Sequence, residues 1–118
     1  MDYVEILKYG NKIIITFNIE HNKPFNIGEK MNELCEDAYM NGYNWGAFFN
    51  YYLEKNYPEI LEGINFDSEA GMFTAYCDYS PENEIKAEKF KEIIRDLVEN
   101  EEKLYEVIKV EAANIEWD

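Results

Sequence analysis

The side chains best equipped for chemistry in this sequence are carboxylates. Asp67, Glu69 and Asp78 flank one predicted hairpin, and two of them brought together in a pocket could work as general acid and base. Abundance dilutes that signal, because 25 of the 118 residues are Asp or Glu and close pairs arise anywhere. Neither an EF-hand spacing nor a His-rich set accompanies them, so no metal site is expected. The sole histidine, His21, stands beside Asn22 and Lys23 in a predicted loop, and no triad is readable around it. Glycine-rich phosphate loops, nucleophile elbows and zinc-protease helices are missing as motifs. The residues therefore assign no catalytic group, metal or cofactor. A small carboxylate-based hydrolase is the alternative in the enzyme class, and a self-associating structural subunit the alternative outside it.

Cys35 and Cys77 lack the spacing of a redox pair or a zinc knuckle. Cys35 falls on the apolar stripe of a predicted helix, which implies a buried, inert thiol. Cys77 ends a predicted strand, which implies a more accessible one. Reduced thiols fit a cytoplasmic protein, with a disulfide left open by the sequence. No apolar run is longer than Ile13 to Ile15, and Met1 to Glu5 carries neither a basic stretch nor an apolar segment. No membrane span or secretory signal is expected.

The formal net charge is -14, with 11 basic residues of which Arg95 is the one arginine. Such a field repels polyanions, so direct nucleic-acid binding is disfavoured, and it accelerates association with a cationic protein. The charge is uneven: residues 1–59 hold nine acidic and five basic side chains, whereas residues 60–118 hold sixteen and six.

These residues must be positioned by a chain whose apolar periodicity changes three times. Val4 and Ile6, then Ile13, Ile15, Phe17 and Ile19, recur at period two about a Gly10-Asn11 turn and predict a hairpin. Asn26 to Glu29 has the form of a capping box, predicting a helix through Ile27, Met31, Leu34, Cys35, Ala38 and Tyr39 that ends near Gly42. Asn44 is the predicted cap of a second helix, whose Trp45, Phe48, Phe49, Tyr52 and Leu53 form a core stripe before Pro58. Ile64 and Phe66 open a second hairpin, with Gly71 expected in the left-handed position of its turn and Met72 to Cys77 as the return strand. Ser80-Pro81 then caps a helix carrying Phe90, Ile93, Ile94, Leu97 and Val98, and Asn100 caps a last one. Glu82 with Lys86 and Glu99 with Lys103 are spaced for ion pairs along these helices. The expected architecture is one α+β domain over residues 1–118: a four-stranded antiparallel sheet of two hairpins with about four helices, in the order ββααββαα.

Tyr43 and Tyr51 fall off the second helix's stripe, and with Tyr79 and Tyr105 they are candidate surface anchors for a protein partner. The strongest combination of acidic and aromatic residues is Asp67, Glu69, Asp78, Tyr79, Glu82 and Glu84, which is the predicted partner-binding set.

The stretch Asn41-Gly42-Tyr43-Asn44-Trp45, with Tyr52-Leu53-Glu54, Pro58-Glu59-Ile60 and the run from Phe66 to Tyr76, resembles the immunity protein 51 family of bacterial polymorphic toxin systems. The resemblance implies a small cytoplasmic bacterial protein that binds a cognate toxin domain, blocks its active site and catalyses nothing itself. Many toxins of such systems are nucleases with cationic clefts, which makes a basic partner the expectation. The family supplies no catalytic residues. Its shared Gly42, Trp45, Asp67, Gly71 and Phe73 are all accountable as caps, turns and core.

Overall fold

In the computed structural model, which describes residues 2–118, the chain opens with strands β1 (Val4–Tyr9) and β2 (Lys12–Phe17), joined through Gly10 at φ 61°. Helices α1 (Asn22–Leu34), α2 (Gly42–Asn56) and the short α3 (Pro58–Leu61) follow. The two-residue strand β3 (Asn65–Phe66), strand β4 (Phe73–Asp78), helices α4 (Pro81–Glu99) and α5 (Glu101–Glu111) and a 3₁₀ turn at Ala112–Asn114 complete the order. The expected α+β class and ββααββαα sequence of elements hold, with α3 an addition.

The sheet is antiparallel throughout, in the order β1-β2-β4-β3. Pairing of β2 with β4, Phe17 opposite Phe73 and Ile13 opposite Cys77, fuses the two hairpins into one ladder. Period-two alternation then sends Val4, Ile13, Ile15, Phe17, Phe73, Ala75 and Cys77 to one face, where all are buried. The opposite row of Leu7, Ile14 and Tyr76 remains half-buried to exposed.

The buried face meets an aromatic core supplied chiefly by α2 and α4. Phe49 is its hub, with ring centroids 4.9 Å from Phe73, 5.6 Å from Trp45, 5.7 Å from Phe90 and 5.8 Å from Phe17. Each such ring contributes roughly 1.5–3 kcal/mol by leaving water, and the edge-on geometries add a smaller directional part. Trp45, Phe48, Phe49, Tyr52 and Leu53 are all buried, as the stripe predicts.

Several local expectations are corrected. Helix α1 starts at Asn22, so Asn26 to Glu29 lies inside it and does not form its cap. Pro24 is accommodated there because the first turn of a helix has N–H groups without intrahelical acceptors. The same helix ends at Leu34, well short of Gly42. Helix α2 is capped by Asn41, whose side chain accepts the Asn44 N–H at 2.9 Å, three residues before the expected cap. Gly71 is not in the left-handed region; Gly10 and Gly63 are. The predicted cap at Ser80 is present, accepting the Asn83 N–H at 3.0 Å with Pro81 in the first turn.

The expected ion pairs within the last helices give way to tertiary ones. Glu99 binds Lys23 at 2.9 Å and accepts the Tyr3 hydroxyl at 2.7 Å. Lys103 reaches Asp96, and Lys86 donates to the Glu62 carbonyl. Cys77 is buried and Cys35 half-buried, the reverse of the expected order, and both are free thiols.

Candidate functional site

Strand β4 separates the six predicted partner-binding residues into two groups. Asp67 and Glu69 belong to the segment before it: the Asp67 N–H donates to the Thr74 carbonyl at 2.9 Å, and the Glu69 N–H to that of Met72, also at 2.9 Å. Asp78, Tyr79, Glu82 and Glu84 follow its far end. At about 3.3 Å of rise per residue, the strand holds the groups roughly 17 Å apart. The acid/base pair imagined between Asp67 or Glu69 and Asp78 is therefore not assembled. No group of three His, Cys, Asp or Glu residues able to hold a metal ion occurs among the described residues.

The two ends differ in electrostatics. At the far end Asp78 is paired with Lys12, and Glu84 with Lys8 at 2.9 Å. The Lys8 hydrogen bond holds the Glu84 carboxyl below the usual glutamate range, and each partner raises its lysine's value. The Lys8 ammonium also stands 5.4 Å from the centroid of the exposed Tyr79 ring. Glu82 is exposed in the first turn of α4.

At the near end, where the Glu69–Met72 turn sits on α2, no such neutralisation exists. Among the described residues neither Asp67 nor Glu69 forms an ion pair, and the same is true of Glu20 and Glu29 close by. Here the chain also exposes large rings: Phe25 at 51%, Tyr39 at 69% and Tyr43 at 46% of their surface.

The near end is rigidly built. Gly42 donates its N–H to the Ala70 carbonyl at 2.8 Å, pinning the turn to the start of α2. Ser68 accepts the Thr74 N–H at 3.3 Å, taking over where the β3–β4 ladder lapses. Asn44, the one buried polar or charged residue among the described residues, donates to the Tyr39 carbonyl at 2.7 Å and accepts the Asp118 N–H at 2.6 Å. It thereby fastens both the loop after α1 and the C-terminal residues to α2.

A family model described as immunity protein 51 matches residues 4–113. The chain belongs to that family. No curated protein and no solved structure gives a significant match. Family membership supports an immunity role, and the match takes in the turn, α2 and the loop before it.

Of the tyrosines offered as anchors, Tyr43 and Tyr79 are exposed. Tyr51 is half-buried, donating to Glu111 at 2.6 Å, and Tyr105 is half-buried as well. The sequence did not single out Glu20 or Phe25, and it read Glu29 only as part of a capping box; Tyr39, expected on the buried stripe of the first helix, instead lies beyond the end of α1 and is exposed. The available signal was Phe25, a large apolar residue off the Ile27 and Met31 stripe of α1. No helix is long and apolar enough to cross a membrane.

Proposed function

We propose that this protein binds a cognate bacterial toxin domain with a basic face and neutralises it by covering its active site, within the cytoplasm of the cell that makes it. The observation that carries the reading is the immunity-family match over residues 4–113. The net charge of -14 supports a cationic partner, because a field of that sign speeds association with a basic surface. The near end of the sheet is the favoured docking region: Asp67 and Glu69 there are free to meet Lys and Arg, and exposed aromatic rings beside them can act as anchors. Asp78 and Glu84 at the far end already hold lysines, so their share is the long-range field and not direct contact.

In this reading residues 1–118 act as one inhibitory domain that makes and breaks no covalent bond. The test is co-expression with the toxin domain encoded in the neighbouring gene. Restored growth together with co-purification of a stable complex is the expected result. Continued toxicity with no complex at micromolar concentrations would overturn it.

A further inference from the structure

Between α1 and the turn lies a notch of about 280 Å³ lined by Glu20, Phe25, Gly28, Glu29, Tyr39 and Gly71, among others. Its walls come from three separate stretches of chain held at close quarters. A Cβ on Gly28 would approach that of Met40 to 3.0 Å, so α1 lies directly against the loop carrying Tyr39. A Cβ on Gly71 would stand 3.4 Å from the Glu20 carboxyl carbon, so that carboxylate runs along the bare backbone of the turn.

At about 280 Å³ the notch lies at the small end of the roughly 300–1,000 Å³ usual for small-molecule sites and has room for one long side chain. The lining combines exposed aromatic rings with two carboxylates, Glu20 and Glu29, that have no cationic partner among the described residues. Asn32, also in the lining, donates its amide nitrogen to the carbonyls of Glu36 at 3.1 Å and Cys35 at 3.4 Å, and its side-chain oxygen takes no hydrogen bond among the described residues. A guanidinium satisfies such a lining fully: it stacks on aromatic faces, forks onto carboxylates and sheds water more readily than an ammonium.

We propose that this notch receives one arginine side chain of the toxin, with Glu20 and Glu29 binding the guanidinium and Phe25 and Tyr39 enclosing it. The assignment rests on the toxin-binding reading for its partner, and on the notch itself for its chemistry.

Two measurements on the full chain separate those supports. Titration with N-acetyl-arginine amide, followed by backbone amide resonances, is expected to shift Gly28, Asn41, Ala70 and Gly71. N-acetyl-norleucine amide, or the Glu20→Gln/Glu29→Gln variant, should leave them still. In parallel, that variant is expected to weaken the complex with the neighbouring-gene toxin domain at least about tenfold, as loss of an arginine anchor does. The Glu88→Gln/Glu106→Gln variant removes the same charge elsewhere and should have a much smaller effect. Equal weakening by both variants would reduce the notch to its part in the general field and overturn the proposal, as would resonances indifferent to the arginine amide. If the wild-type chain takes the arginine amide but forms no toxin complex, the toxin-binding reading fails and the guanidinium site stands.

Discussion

Gly42 and Ala70 are joined by a 2.8 Å backbone hydrogen bond across a gap that admits no side chain: a Cβ on Gly42 would lie 1.9 Å from the Glu69 carbonyl oxygen and 2.5 Å from that of Met72. The glycine is required by close approach and not by its own dihedral angles, since it begins an ordinary helix. Backbone cannot step aside as a flexible side chain can. The contact fixes where α2 starts and where the turn rests.

Gly42→Ala is accordingly expected to destabilise the fold by about 1–3 kcal/mol or more, the range of overpacking in a tight site. Gly46→Ala, four residues on, should instead be neutral or stabilising by up to about 1 kcal/mol. There the new methyl meets Phe73 and Phe66 at 3.5–3.6 Å, an ordinary contact, while helix propensity improves. Urea denaturation of the two variants checks the opposite signs.

Asn44→Ala should cost about 1–2 kcal/mol, because it removes the two hydrogen bonds that tie the Tyr39 carbonyl and the Asp118 N–H to α2, although that carbonyl keeps its bond from the Asn41 N–H. Amide hydrogen exchange is expected to accelerate in residues 38–41 and at the C-terminal residues before any change in the sheet. Uniform acceleration throughout would contradict that local role.

The thiols should differ in reactivity in the order opposite to their sequence-based expectation. Burial, and then the neighbouring Asp78 charge, push the Cys77 thiol above its ordinary value and keep reagents away, whereas Cys35 is half-buried at the end of α1. Under native conditions a disulfide-forming reagent is expected to modify Cys35 first, and Cys77 only on unfolding. Cys35→Ser should abolish the fast phase.

Acid and alkali should each weaken the fold through Tyr3 and Glu99. The Tyr3 hydroxyl first, and Lys23 second, hold the Glu99 carboxyl below the ordinary 4.5, so its contribution is complete above pH 4.5 and is lost as pH falls through the lowered folded value. Burial first, then the Glu99 bond, raises the Tyr3 hydroxyl above its ordinary 10.0. That contribution is complete below pH 10 and is lost as pH rises toward the folded value. Tyr3→Phe is expected to shallow both limbs of a plot of urea midpoint against pH; unchanged limbs would show that the pair carries no linkage.

The legible parts of the fold are those decided locally. Ser80-Pro81 names its helix start because cap and first turn lie within four residues, and the α2 stripe names its buried face because periodicity alone sets it. Where tertiary contacts decide, the sequence misleads. The start of α2 is set with the help of the Gly42–Ala70 contact, and Asn44, which looks like a cap, is drawn inside to serve a loop and the chain end. The candidate surface suffers most, since Asp67 and Asp78 look adjacent across a hairpin until β4 extends between them. Which carboxylates remain unpaired depends on lysines as remote as Lys8 and Lys12, whose reach depends on strand pairing. Phe25 carries a sequence clue, but one that becomes informative only once its neighbours are known.

The bond between Gly42 and Ala70 has a bearing on how the proposed toxin-binding surface could change its specificity. A recognition surface resting on the hydrophobic core is pre-organised, so docking need not freeze a wandering loop and dissociation can be slow. Adaptation to an altered toxin would then proceed by exchanging protruding groups on an unchanged backbone. The glycine itself would be held constant while the residues around it diversify.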